Sequence, residues 1–326
     1  MDTVKIGIIG TGWIAEKMAI TLEGMEGVEA YAVASRQLQT ACDFADRWGF
    51  TRAYGSYEEM LDDEEVELVY IATPHSHHFE HARMSLLKGK AVLCEKAFTA
   101  NARQAEELLN LAKAKELFIT EAIWTRYMPL SHTINDLVTS GIIGRPMTLS
   151  ANLGYPIGNR ERLRQPALAG GALLDLGVYA LNFASMVFGT EVERVTSTCV
   201  KTDTGVDAQN SITLTFKDGK IAVLHSSMLS MTDRQGIISG DKGHLIIENI
   251  NNPQRIRVVT EDYKTAVVYN CPPQITGYEY QVYASMEALR NGWLESPYMP
   301  HAETLRIMRM MDDLRREWGV HYPADE

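Results

Sequence analysis

Asp175 and Tyr179 stand four residues apart in Gly170-Gly171-Ala172-Leu173-Leu174-Asp175-Leu176-Gly177-Val178-Tyr179, a stretch that reads as helix over 172–188. That spacing puts a carboxylate and a phenol on one helix face. The pair also has a plain reading, because an Asp near a helix start favours the dipole and a tyrosine can simply pack. A second constellation is Gly10-Thr11-Gly12-Trp13-Ile14-Ala15, which fits G-x-G-x-x-A. Gly10 permits a tight turn, Gly12 lets the backbone approach a pyrophosphate, and small Ala15 lets a helix pack close to the strand before it. The first turn of that helix would then offer N–H donors and a positive dipole end to phosphate. Gly-rich turns are common. This one follows a strand, opens a helix and leads to a second strand, which is the context dinucleotide binding needs.

The second strand ends in Ala32-Val33-Ala34-Ser35-Arg36. An NAD-selective site usually places Asp or Glu here to accept from the ribose 2′-hydroxyl, and Glu29 lies too early in the strand to do so. A hydroxyl and a guanidinium suit a 2′-phosphate instead, so NADP(H) is the expected cofactor, with NAD the alternative. The plain reading of Arg36 is the first residue of a solvated helix. The stretch Thr73-Pro74-His75-Ser76-His77-His78-Phe79-Glu80-His81 resembles a metal site, because His77 and His81 have the i,i+4 spacing of two ligands on one helix face. No cysteine cluster accompanies them. The stretch also leaves the strand at 66–72, at the sheet edge where a cofactor lies in doubly wound folds. The expectation is therefore a cofactor-lining loop using Thr73, Pro74, His75 and His78, and no metal.

The elements that must position these groups alternate. Apolar, β-branched runs at 4–9, 28–34, 66–72, 91–94 and 117–119 are separated by helical patterns near 13–25, 37–48, 56–62, 76–88 and 101–115. Such alternation predicts an α/β fold with a doubly wound parallel sheet, the Rossmann arrangement. Ser56-x-x-Glu59 and Asn101-x-x-Gln104 read as capping boxes. After Arg126 the signal changes. Met147, Leu149, Ala151 and Leu153 alternate at period two, as do Ile212, Leu214 and Phe216. Lys217-Asp218-Gly219-Lys220 and Gly240-Asp241-Lys242-Gly243 read as hairpin turns. With helices near 172–188, 278–292 and 300–317, these signals predict an α+β second domain built on a mostly antiparallel open sheet. Leu305, Met308, Met311 and Leu314 form an apolar stripe on the last helix, read as core. The expected domains are residues 1–122 for the dinucleotide and 123–326 for substrate and assembly.

Bulk properties narrow the classes. A net charge of −11 without an offsetting basic run argues against nucleic-acid binding. The apolar stretches read as strand-length, and charge or glycine interrupts each before it could span a bilayer, so no membrane partner is expected. The strand pattern begins at Val4, leaving no visible room for a signal peptide. The four cysteines, Cys42, Cys94, Cys199 and Cys271, are widely spaced. That is the usage of free thiols in a reducing, cytoplasmic setting.

With the Gly-rich turn, the 73–81 loop, Cys94-Glu95-Lys96-Ala97 and the Gly170–Tyr179 stretch in hand, the chain resembles the glucose–fructose oxidoreductase/inositol dehydrogenase (GFO/IDH/MocA) family nearly end to end. Glu121-Ala122-Ile123-Trp124-Thr125-Arg126-Tyr127-Met128-Pro129, Thr204-Gly205-Val206-Asp207 and Glu295-Ser296-Pro297 look like its branch of dimeric dihydrodiol dehydrogenases and NADP-dependent xylose dehydrogenases. The family carries Glu-Lys-Pro where this chain has Glu95-Lys96-Ala97, a departure that bears on how Lys96 is presented.

The resemblance implies that Asp175 and Tyr179 face the nicotinamide together with Lys96. Hydride transfer to a carbonyl needs a proton for the developing alkoxide. Tyr179 is then the acid/base, Lys96 its electrostatic activator or proton partner, and Asp175 the group that orients Lys96 or a substrate hydroxyl. The division between Lys96 and Tyr179 stays open. Glu95 and Lys96 would also line the cofactor. Trp124 would lie beside the nicotinamide and Arg126 near phosphate or substrate, with packing and a surface ion pair as their plain readings. Arg162 joins Lys96, Asp175 and Tyr179 as a substrate-side candidate. The implied activity is hydride transfer between NADP(H) and a secondary alcohol or carbonyl of a sugar or cyclic diol. The small molecule would be the only ligand besides cofactor, and a homodimer or homotetramer would form through the second domain's sheet. Three rivals share the fold: a dinucleotide-sensing regulator, an NAD-dependent sugar or inositol dehydrogenase, and a cofactor-dependent glycoside-cleaving enzyme. Retention of Lys96, Asp175 and Tyr179 favours an enzyme over the regulator, and the Ser35-Arg36 ending disfavours the NAD-retaining glycoside chemistry.

Overall fold

The computed structural model describes residues 3–326. The chain folds into two compact units, one reaching to Ile123 and taking in Gln274–Arg309, the other Trp124–Pro273 with Met310–Glu326.

In the first unit the strands are β1 (Val4–Ile9), β2 (Val28–Ala34), β3 (Arg52–Tyr54), β4 (Leu68–Ile71), β5 (Ala91–Glu95) and β6 (Ile119–Ala122). Between them run α1 (Trp13–Glu23), α2 (Leu38–Trp48), α3 (Tyr57–Leu61), α4 (His75–Leu87) and α5 (Ala102–Ala114). All strand pairs are parallel, in the order β3-β2-β1-β4-β5-β6. Every residue of β4, β5 and β6 is buried, as expected where helices cover both faces. Both caps form on the helix side: Glu59 N donates to Ser56 Oγ at 3.2 Å, and Gln104 N to Asn101 Oδ1 at 3.0 Å. The return arm at the second cap goes one residue further back, with Ala100 N donating to Gln104 Oε1 at 3.2 Å. β3 has no counterpart among the sequence patterns, because three residues at a sheet edge are too short to show a period.

The sequence pattern put residues beyond 122 in one later domain, whereas 274–309 pack with the first unit. The reason lies at the edge strand β6. Ile119 N donates to the Leu294 carbonyl at 3.1 Å, and the His301 ring lies 2.9 Å from the Ile119 carbonyl. The returning segment thus occupies backbone groups that an open edge would leave unpaired. Its helix Glu279–Asn291 is anchored just upstream, where Thr21 and Thr276 hydroxyls meet at 2.6 Å.

The second unit carries an eight-stranded sheet: β7 (Pro146–Gly154), β8 (Val192–Lys201), β9 (Asp207–Phe216), β10 (Ile221–Ser227), β11 (Gly236–Gly240), β12 (Gly243–Glu248), β13 (Arg255–Thr260) and β14 (Thr265–Asn270). Its order is β14-β13-β12-β11-β7-β10-β9-β8, antiparallel except for the β7–β10 pair. Both expected hairpin turns join their strands, β9 to β10 and β11 to β12. A helix over Val178–Phe188 packs on β7 and β10 and is buried almost all round. The stretch Pro166–Phe188 is apolar and long enough to cross a membrane by composition, a property the sequence pattern denied to every run. Here 83% of an apolar 18-residue run within it is buried in the protein core, which accounts for its apolar character.

Candidate active site

In the first unit the β1–α1 turn lies at the reversal of strand order between β1 and β4. Gly10 has φ +106°, and a Cβ there would meet the Ala72 carbonyl oxygen at 3.0 Å, so this position needs glycine. Gly10 N donates to the Ala34 carbonyl at 3.0 Å, tying the turn to the end of β2. Gly12 precedes α1 in extended conformation with no side-chain cap, and nothing lies within 4 Å of where its Cβ would be. Uncapped first-turn N–H groups of an 11-residue helix beside open space suit a pyrophosphate. Thr11 and Ile14 surround this turn, Thr11 half-buried, and Trp13 is exposed under Lys17.

A cleft of 540 Å³ opens next to that turn, lined by Thr11, Ser35, Arg36, Gln37 and Thr40. It brings Ser35 and Arg36 together with the first residues of α2 and holds no acidic side chain. Gln37 and Thr40 did not stand out in the sequence. Their only signal is position, since both sit at the N-terminal end of the helix that follows Arg36. These residues fit a dinucleotide whose ribose carries a phosphate.

The 73–81 stretch is knit together through its histidine rings. His78 is fully buried, with its ring nitrogens 2.8 Å from the Ala97 carbonyl and 2.8 Å from the Thr73 carbonyl. Burial pulls its pKa down to about 4, so the ring is neutral and donates to one carbonyl at a time. The ring thus lies between the Thr73–Pro74 turn and the backbone just after Lys96. Thr73 also bonds the His81 ring at 3.0 Å, and Pro74 caps α4. His75 is buried with its ring edge-on to His78. His77 and His81 stack at 5.8 Å, and His81 lies edge-on to Tyr57 at 4.6 Å. Among the described residues, no three His, Cys, Asp or Glu side chains gather as metal ligands would.

Glu95, buried at the end of β5, accepts a short hydrogen bond from the Tyr70 hydroxyl. Lys96 follows, half-buried, and the Lys96–Ala97 peptide is cis.

In the second unit the expected helix is composite: a π-helical turn over Leu173–Gly177 runs into the α-helix Val178–Phe188. Asp175 lies in the π turn and Tyr179 in the α-helix, still about one turn apart. π turns recur at functional sites because they re-aim side chains. Asp175 is 5% exposed, and its Oδ1 accepts from Arg162 Nη1 at 3.1 Å. The structure thus brings two of the four substrate-side candidates together as an ion pair. The Tyr179 hydroxyl accepts from Trp124 Nε1 at 3.0 Å. Trp124 opens a 3-10 turn, Trp124–Tyr127. Arg126 in the same turn donates from Nε to Asn182 Oδ1 at 2.6 Å and reaches Ser185 Oγ at 3.4 Å. The guanidinium expected at cofactor or substrate thus binds the turn to the helix that carries Tyr179.

Asp207, quoted above only within a resemblance, proves central to this helix. Its Oδ2 accepts from Leu173 N at 2.7 Å and from Asn210 Nδ2 at 2.9 Å. Gly171, at φ +119°, must be glycine, because a Cβ would stand 2.3 Å from Asp207 Oδ1. The sequence holds no periodic signal for a contact between residues so far apart in the chain.

Asp207 is fully buried, and burial outweighs its hydrogen bonds, pushing its pKa up to about 6. A folded-state value above the unfolded one means the folded protein holds the proton more tightly. The stabilisation from that proton is complete below about pH 4 and is lost as pH rises through about 6. Asp207→Asn removes this pH dependence. Relative to the unmodified protein, the variant is expected to gain roughly 2–3 kcal/mol between pH 4 and 7. Urea unfolding across that range measures it. A stability difference that does not vary with pH would show that Asp207 titrates as an ordinary carboxyl.

Comparison with known proteins agrees with this picture. The family model described as "Oxidoreductase family, NAD-binding Rossmann fold" matches residues 4–122, and the GFO/IDH/MocA C-terminal domain model matches 131–246. The chain is 33% identical to trans-1,2-dihydrobenzene-1,2-diol dehydrogenase of Mus musculus over 336 residues, covering 99% of each chain. It is 36% identical to D-xylose 1-dehydrogenase (NADP(+)) of Hypocrea jecorina, over 98% of this chain and 93% of that one. Among solved structures, a 3-ketoreductase of Actinomadura kijaniata in complex with NADP and TDP-benzene superposes with TM-score 0.88 at 26% identity, over 97% of this chain and 98% of that one.

Proposed function

Because the chain belongs to the GFO/IDH/MocA oxidoreductase family, we propose that it transfers hydride between NADP(H) and a secondary alcohol or carbonyl of a sugar or cyclic diol. The observation that carries the reading is the pairing of Asp175 and Tyr179 on one composite helix, with the tyrosine oxygen held by an indole N–H. The nicotinamide, when bound, supplies or accepts the hydride. The chain's own part is to bind, orient and move the proton. In the reductive direction Tyr179 gives its hydroxyl proton to the alkoxide oxygen, and in the oxidative direction it removes that proton. An ordinary tyrosine titrates near 10, so a cation is needed for such work near neutrality. We assign that task to Lys96.

Asp175, paired with Arg162, is as a carboxylate acceptor-only and suits a substrate hydroxyl. Gly10, Thr11, Gly12, Trp13 and Ile14 would hold the pyrophosphate, and Ser35, Arg36, Gln37 and Thr40 the 2′-phosphate. Thr73, Pro74, His75 and Glu95 would shape the nicotinamide side. The names of the relatives support both a sugar and a diol as substrate.

The open face of the sheet carries exposed Val200, Ile221, Val223 and Val268, and we propose that this apolar surface joins copies of the chain. Pyranoses, inositols and cyclic trans-diols offered with NADP, and ketoses with NADPH, test the function by absorbance of the reduced cofactor. Turnover of one class is expected. Tight NADPH binding with no turnover on any class would move the reading to a cofactor sensor.

A further inference from the structure

Trp124 and Tyr179 are each 7% exposed, and the indole Nε1 lies 3.0 Å from the phenolic oxygen. The geometry permits one polarity only. An indole N–H is a donor with no lone pair to offer, so the tyrosine oxygen must accept. The hydroxyl's own proton therefore cannot point at Trp124 and must be directed to some other acceptor. A histidine, asparagine or serine at this position could receive that proton and divert it. A tryptophan cannot.

The indole is also fixed in place. Next to it, Thr125 Oγ1 donates to the Asn251 carbonyl at 2.8 Å, and Ser131 Oγ donates to the Thr125 carbonyl at 2.5 Å. One residue further, Arg126 is bonded to Asn182 on Tyr179's own helix. The 3-10 turn is thus held from three directions, and the indole N–H is aimed before any substrate arrives.

From this arrangement we propose that Trp124 is a positioning residue, whose N–H holds the Tyr179 oxygen and turns the hydroxyl proton toward the substrate. The proposal rests on the acid/base reading of Tyr179 for its catalytic meaning, though not for its geometry. Once the tyrosine has given up its proton, the same N–H faces a phenolate, and a hydrogen bond to a charged acceptor is the stronger one. Trp124 therefore favours the deprotonated product of the transfer as well as the direction of the proton. The charged groups beside this composite helix in the same unit are Asp175 with its Arg162 partner, Arg126, Asp207 at its start and Lys220 over Phe188 at its end. None of these residues is itself altered when Trp124 is replaced.

The test is Trp124→Phe, which keeps an aromatic ring and removes the donor, together with Trp124→His, which restores a donor that can also accept. In the phenylalanine variant, kcat for ketone reduction is expected to fall about tenfold. Its pH profile should move upward, and the Tyr179 phenol, followed by ¹³Cζ-tyrosine NMR, should titrate at higher pH than in the unmodified protein. The histidine variant should return part of the shift in titration while recovering less of kcat.

Should the phenylalanine variant not fold, the unmodified protein gives an independent reading. Its Trp124 indole proton resonance should follow the Tyr179 titration and lose that dependence in Tyr179→Phe. An unmoved Tyr179 titration in folded Trp124→Phe, or an indole proton indifferent to Tyr179, overturns the proposal. A moved titration with an unmoved kcat profile supports the hydrogen bond and overturns instead the assignment of Tyr179 as acid/base.

Discussion

Replacing Tyr179 by Phe is expected to lower turnover on a genuine substrate by roughly a hundredfold or more, with NADPH affinity close to that of the unmodified protein. The substitution removes one oxygen from a buried ring and leaves the ring's packing in place. It leaves the Trp124 N–H without its acceptor, a local loss in the second unit rather than in the Gly10–Ile14 turn or the Ser35–Thr40 cleft. The loss should therefore fall on kcat and not on cofactor binding, the signature of a group used in the transition state. Lys96→Met is expected to match it in size, because each residue is assigned to one proton transfer. The double variant should then lose little more than either single one. Stopped-flow reduction with saturating NADPH separates the outcomes. Near-normal rates in both single variants would remove Tyr179 and Lys96 from the chemistry.

The second large effect is expected at Arg36, where Ala should weaken NADPH by about ten- to a hundredfold and leave NADH nearly unchanged. A hydrogen bond to a charged group contributes about 1.5–3 kcal/mol, and the exposure of Arg36 favours the lower end. NADH offers no group at this place for a guanidinium to bind, so its affinity has nothing to lose. Salt should narrow the gap between the cofactors in the unmodified protein, because the cleft is open to solvent and its charge is screened. Thr40, in the first turn of α2, faces the same cleft, so Thr40→Val should act in the same direction and more weakly. Fluorescence titration of both cofactors measures all of this. Equal affinity for NADH and NADPH in the unmodified protein would return Arg36 to the role of a solvated helix start.

Much of this molecule was legible in the linear chain because the physics there is local. Strand–helix alternation announced the parallel sheet, and each side of a doubly wound sheet must be covered by the helix that follows a strand. Gly10 and Gly12 announced the turn because few other residues fit that backbone, and Asp175 and Tyr179 shared a face because four residues make about one helical turn. Ser35 and Arg36 were legible as neighbours at a strand end.

Only the tertiary structure decided the rest, where partners lie far apart in sequence and no period links them. It placed the buried His78 ring between the Thr73 and Ala97 carbonyls, and it engaged Arg126 with Asn182 and Ser185. It returned residues 274–309 to the first unit, since the edge of β6 has backbone groups to satisfy. It set buried Asp207 under Gly171 and Leu173, and it put the Trp124 N–H on the Tyr179 oxygen. Side-chain direction in a turn and the pairing of buried polar groups depend on what else is packed there, and neither is written in residue spacing.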